Sequence, residues 1–171
     1  MFKKVEMEQY MYSTADVLKF FLKALGGRAP YSSLRYLAFL AQYDVRGREV
    51  RKYLARGKPL ARAKFYLWND IMSEEVADAS EEFASKMSKV YVELIYNGPL
   101  PALPQPVETR LAYVAAEYGD WKPWRLRMHI YELLDLAIPE KRSDYMGRYV
   151  DHYLRAEGFK LKTKELLAET A

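Results

Sequence analysis

Residues 46–66 set the terms for the rest of this chain. They hold eight cations (Arg46, Arg48, Arg51, Lys52, Arg56, Lys58, Arg62 and Lys64) against one acid, Glu49. Gly57, Lys58 and Pro59 cut the run in two. Glycine commonly follows a helix end and proline fits the first turn of a new helix. The pattern therefore predicts two short helices joined by a tight turn. Arg48, Lys52 and Arg56 recur at every fourth position, so on a helix they share one face. A row of cations on a helical hairpin suits a polyanion, of which the phosphate backbone of nucleic acid is the commonest. The same run also reads as a solvated surface.

The charge is unevenly placed. Residues 1–72 carry fourteen Lys or Arg and six acids, a surplus of eight; residues 73–171 carry thirteen and seventeen, a deficit of four. One half is suited to meet an anion and the other is not. Lys19, Lys23, Arg28 and Arg35 add to the basic half and join the candidate DNA-contacting residues. A chain of 171 residues, half of them hydrophobic, can bury one core. It has no cysteine, so disulfides, thiol chemistry and cysteine-ligated metals are excluded. No apolar run reaches the length of a membrane span, and the N-terminus does not read as a signal peptide.

Helix signals recur along the chain. Ser13, Thr14 and Asp16 mark a helix start, with Val17, Phe20, Phe21 and Leu25 on one face and Gly26-Gly27 as its stop. A second helix is expected over 32–44, carrying Leu34, Leu37, Ala38 and Ala41. Ser73 opens a long acidic-start helix over 73–97, ended by Asn97, Gly98 and Pro99. Residues 98–106 form a proline-rich connector, either a strap or a peptide ligand. Helices at 107–118, 123–138 and 143–157 follow, and a last one at 163–169. Only 63–68 carries a strand signal. The expected fold class is all-α: a helix-turn-helix arm over 1–72 and a four-helix-type bundle over 73–171.

Catalytic motifs are missing. His129 lies between apolar turns and His152 beside Asp151, neither with a second ligand at metal spacing. No phosphate-binding glycine loop or nucleophile elbow is present. No enzyme activity, cofactor, metal or small-molecule substrate is implied. Trp68, Trp121 and Trp124 are able to stack on bases, or to be buried.

Two family resemblances compete. In 111–134, Tyr118-Gly119 ends one helix, and Pro123-x-Arg125 opens the next with Tyr131 further on. Met146 and Tyr153 follow at similar spacing. This resembles the C-terminal bundle of major coat proteins of filamentous archaeal viruses (rudiviruses, lipothrixviruses and tristromaviruses). The resemblance implies a structural protein of the virion of a hyperthermophile's virus, assembled in the host cytoplasm. It would dimerise with itself or a second coat protein around double-stranded DNA in A-form. The DNA contacts rest on charge alone, because the arm does not align by motif.

The second resemblance is to the SocA-like, or Panacea, antitoxin domain. It rests on LRYLAFLAQ at 34–42, GKPL at 57–60, Phe65, Trp68, YGD at 118–120, Trp124 and Leu126, in that family's order. The Gly-Pro that follows the tryptophan there is replaced by Asn69-Asp70 here. This resemblance implies an antitoxin or proteolytic adaptor that binds a partner protein.

Overall fold

The computed structural model describes residues 11–167. Among the described residues helices take 43% and strands 22%, in seven helices and three sheets, so the fold is mixed α/β and the all-α expectation is overturned. In chain order the elements are α1 (Thr14–Ala24), β1 (Arg28–Pro30), α2 (Tyr31–Gln42), β2 (Tyr43–Arg46), β3 (Glu49–Ala55), β4 (Lys58–Pro59), β5 (Tyr66–Leu67), β6 (Ile71–Met72), α3 (Glu74–Ser80), β7 (Ala84–Met87), β8 (Val92–Ile95), α4 (Gln105–Tyr118), α5 (Pro123–Leu133), α6 (Pro139–Asp144), α7 (Val150–Ala156) and β9 (Lys160–Glu165).

The centre is α2. Every residue from 33 to 42 is buried, including Leu34, Leu37, Phe39 and Leu40. A helix buried on all sides needs cover on all sides, and its polar Arg35 and Gln42 need partners there. Here α1, α4 and α5 pack against it, with the β2–β3 hairpin at its end. α1 starts as its sequence indicates: the Ser13 side chain accepts from the Asp16 amide, and Asp16 accepts from the Ser13 amide. Elements from both halves of the chain share one core.

The basic run is a pair of β-hairpins, not two helices. Tyr43, Val45, Val50 and Lys52 alternate with Asp44, Arg46, Glu49 and Arg51, and the first set is buried. That period of two is a strand signal. Gly57, which suggested helix punctuation, serves a tight turn instead, as does Gly47. Gly47 (φ 62°) and Arg48 link the paired residues Arg46 and Glu49. Arg56 (φ 53°) and Gly57 (φ 73°) link Ala55 and Lys58, a two-residue loop with both central residues left-handed. A helix C-cap and this turn make the same demand, positive φ, so glycine alone does not separate them. The Glu165 carboxylate accepts from the Arg56 and Gly57 amides and holds the turn.

β2, β3 and β4 form one antiparallel sheet, and β9 lies parallel along β3 from Glu49–Lys160 to Leu54–Glu165. The helix expected at 163–169 is therefore strand as far as Glu165 and a bend at 166–167; residues 168–171 lie outside the described residues. A second sheet runs β1-β8-β7, and β5 pairs with β6. The helix expected over 73–97 stops at Ser80, and β7 and β8 replace its remainder. Its serines and its alternating Val, Glu and Ile favour strand over helix once the acidic first turn has passed. Of the helix expected over 143–157 only α7, from Val150, is found; residues 143–144 end α6, which starts earlier at Pro139, and Gly147 (φ 86°) lies in the turn between them. No helix among the described residues is long and apolar enough to cross a membrane.

Candidate functional site

The twelve basic candidates do not form one face. Arg35 is buried in α2, its guanidinium 2.8 Å from Asp70. Lys52 points inward from β3, 2.6 Å from Asp151 and 3.0 Å from the Tyr149 hydroxyl. Arg28 is tied to Glu93, and Lys19 lies 3.9 Å from Asp16 and over the Tyr96 ring. Lys23 is exposed near the end of α1. Arg48 caps the first hairpin, 3.5 Å from Asp135 and over Phe159. Thus Arg48, Lys52 and Arg56 have three different surroundings. The others fall into two groups: Arg46 and Arg51 on the outside of the sheet, and Arg56, Lys58, Arg62 and Lys64 around a cleft.

That cleft, of about 810 Å³, is also lined by Met11, Tyr12, Tyr66, Glu74 and Glu75. Its walls are fixed from below. The buried amide of Gln42 donates to Ala63 O at 2.9 Å and accepts from the Ala61 amide at 3.1 Å. The Tyr12 hydroxyl donates to Leu60 O at 2.6 Å, and burial pushes its pKa up to about 12 despite the nearby Arg62 charge. Arg62 lies over the Tyr12 ring and donates to Ala55 O.

Tyr66 and Glu74 belong to a second cleft as well, of about 640 Å³, whose other walls include Trp68, Met72, Met146 and Gly147. The two clefts thus adjoin at Tyr66 and Glu74, making a groove with a basic part and an apolar part. Trp68, Met72 and Met146 are 50%, 38% and 46% exposed. Three large apolar groups left open at one place are the unusual feature, since scattered ones are normal. Their backbone is pinned from several directions. The Leu67 amide donates to Arg148 O at 2.8 Å, the Val150 amide to Phe65 O at 3.0 Å, and the Gly147 amide to Leu67 O. Asp70, in the β5–β6 turn, accepts from Arg35 and the Tyr36 hydroxyl, while Tyr131 donates to Asn69 O. The Trp68 ring lies against Gly147, where a Cβ would stand 3.5 Å from it. Ser73 caps α3 beside Met72 by accepting from the Val76 amide.

Behind the groove lies a buried polar cluster. Tyr43 donates to Asp151, and Tyr149, which accepts a hydrogen bond from Lys52, packs its ring 5.5 Å from Tyr66. Burial alone would lower the Lys52 pKa, but the hydrogen bonds to Asp151 and Tyr149 and the Asp151 charge carry it above its ordinary value. Burial, then Asp151, holds Tyr43 well above the usual phenol range. His129 packs among Tyr118 and Trp121, and burial holds its pKa below the ordinary value. No group of three or more His, Asp or Glu among the described residues is placed to hold a metal.

The sequence pointed to Trp68 and to the cations of the basic part. It gave no warning of Met146 and Gly147, which reach the groove from nearly eighty residues away. Comparison with family models, with curated proteins and with solved structures finds no match for this chain.

Proposed function

We propose that this chain is a non-catalytic module of the SocA-like, or Panacea, type that holds a segment of a partner protein in the groove. The observation that carries the reading is the exposed Trp68, Met72 and Met146 wall, which adjoins the basic cleft at Tyr66. Methionine and tryptophan on a fixed backbone are what a protein-binding surface uses: adaptable contact beside a rigid anchor. Of the residues that carry that resemblance, Lys58, Pro59 and Trp68 line the two clefts, while Tyr118, Gly119, Asp120, Trp124 and Leu126 are not among their walls. The 34–42 segment is the central helix, GKPL makes the second hairpin, Phe65 is buried, and Trp68 is the anchor. The cations of the basic cleft suit a segment carrying acids.

The viral-coat reading, with its place in a virion, drew its architecture from an all-helical arm and bundle. The described part of that arm, residues 11–72, folds instead as α1, α2, the short strand β1 and three β-hairpins, β2–β3, β3–β4 and β5–β6. Its local pattern is kept only in α4 ending before Gly119 and α5 opening at Pro123.

Affinity purification of the full chain from its own cells, with a photo-crosslinker at Met72, tests the proposal. One defined protein should be captured, and Trp68→Glu should weaken its binding about 30-fold or more while leaving the fold intact. Purification as a nucleic-acid-filled filament, or full retention of the captured protein by Trp68→Glu, would reject it.

A further inference from the structure

The outer face of the β2–β3–β9 sheet lies apart from the groove and is not used by it. Paired residues in a sheet point to the same side. The register therefore places Asp44, Arg51 and Lys162 in one row and Arg46, Glu49 and Lys160 in the next, with Lys164 beside Tyr53. All five cations are exposed. Asp44 is taken by Arg46 at 3.3 Å. Arg51, Lys160, Lys162 and Lys164 make no ion pair among the described residues, and Glu49 is the one acid left among them.

We propose that this face binds the phosphodiester backbone of nucleic acid, without regard to base sequence. Three features of the face carry this. Arg51 and Lys162 stand directly opposite each other, a like-charge pair that costs the sheet stability. Lysines on an edge strand also guard against edge-to-edge pairing, but that duty needs β9 alone and leaves Arg51 unexplained. Between the cations there is no apolar side chain. Tyr53 is covered by the Arg110 guanidinium, whose carbon stands 4.5 Å from the ring centre. A folded protein partner needs a desolvated apolar core at its interface, whereas a polyanion needs only charge and released counterions. Along β9 the lysines recur every second residue, about 6.6–6.8 Å apart, a straight row suited to a linear chain of charges. The lysine row meets phosphate oxygens as point charges, and contacts to phosphate carry no sequence information, so the contact is blind to sequence. Beyond Arg110, the half-exposed Tyr113 ring, 5.5 Å from its guanidinium carbon, offers a base a surface to stack on at the margin.

The test is fluorescence anisotropy of the full chain with a labelled single-stranded DNA, its duplex, and the RNA of the same sequence. A scrambled oligonucleotide should bind equally. The variant Lys160→Thr, Lys162→Thr, Lys164→Thr keeps good strand formers on β9. It should bind at least tenfold more weakly, with the salt slope on single strands shallower by about 2, three phosphates at ~0.7 each. The off-face variant Lys86→Thr, Lys89→Thr, Lys122→Thr should bind as the parent does. If circular dichroism shows the β9 variant unfolded, Arg46→Thr with Arg51→Thr interrogates the same face and should also lose affinity. No binding by the parent at low salt overturns the proposal. So does equal loss in the off-face variant, undiminished binding by the on-face variants, or displacement by polyglutamate as effective as by an oligonucleotide of equal charge. Trp68→Glu should leave nucleic-acid binding untouched, which separates this surface from the groove.

Discussion

The groove and the outer sheet face are both open to solvent, yet they are made in opposite ways. In the groove the backbone is fixed by hydrogen bonds from α2, α5 and the 145–150 segment, and the side chains presented are Trp68, Met72 and Met146. On the sheet face, long flexible cations, all but Arg46 without an acidic partner among the described residues, stand on regular strands. Contact at the first draws on burial of apolar area, roughly 25 cal/mol per Å², and responds weakly to salt. Contact at the second draws on counterion release and fades as salt rises. The contrast is sharpest within β3. Arg51 and Lys52 are neighbours of the same charge, but the period of two sends Arg51 outward to water and Lys52 inward to Asp151. Sign and density of charge say nothing about which of the two a residue does; its face decides.

Breaking the inner side should have the largest effect. Asp151→Ala leaves the Lys52 ammonium, whose side chain is 8% exposed, without its counter-charge. Removing one partner of a buried pair typically costs about 3–5 kcal/mol. Urea unfolding should show that loss, and adding Lys52→Met and Tyr43→Phe should recover most of it, because no buried polar group is then stranded. Arg51→Ala on the other face should change stability by less than about 0.5 kcal/mol. A comparable loss in both variants would erase the distinction between faces. The same cluster sets an alkaline limit. Lys52 and Tyr43 titrate above their ordinary values of 10.5 and 10.0 in the folded chain. As pH rises past about 10, the unfolded chain loses these protons first. The folded state then binds more protons, so stability falls with rising pH. That fall should be shallower in the variant carrying Lys52→Met and Tyr43→Phe.

A smaller effect is expected at Gly147. Its φ of 86° belongs to a conformation that side chains rarely adopt, while a Cβ would meet the Trp68 ring at an ordinary 3.5 Å. Space is therefore not the difficulty; backbone strain is. Gly147→Ala should cost about 1–2 kcal/mol. It should also loosen the segment that supports Trp68, weakening partner capture while leaving oligonucleotide binding unchanged. A parallel loss of both activities would mean that the two surfaces are not independent.

What was legible in the sequence follows the same division between local and distant causes. Capping at Ser13 and Ser73, the central helix near 32–44, the ends of α4 and the start of α5 were all marked by nearby residues. The strands were written there too, in Tyr43-x-Val45 and in Lys160-x-Lys162-x-Lys164. They were overridden by glycines that serve helix ends and hairpin turns alike, and by an every-fourth-residue spacing that a strand also places on one side. The parallel pairing of β9 with β3 joins residues over a hundred positions apart, and no local pattern announces it. For that reason half of the basic sheet face could not be assembled from residues 46–66 alone. The groove suffered likewise: Trp68 stood out as an aromatic, but the 145–150 segment that completes its wall is distant in the chain.

The smallest expected effect is the most discriminating for the sheet face. Glu49 sits between Arg46 and Lys160 in its row, exposed on a hairpin strand. If its duty were to hold those cations for the sake of the fold, Glu49→Gln would destabilise the protein. Surface charges of this kind contribute little, and neither neighbour is bonded to it among the described residues, so unfolding should shift by less than about 0.5 kcal/mol. For a phosphate chain, however, Glu49 is the one repulsive group in the row. Its neutralisation should tighten oligonucleotide binding several-fold at low salt, and the gain should shrink as salt is added, because screening removes the repulsion it relieved. Partner capture in the groove should not change. A tighter complex that persists at high salt, or no gain at any salt, would mean that the cations of this face do not meet phosphate.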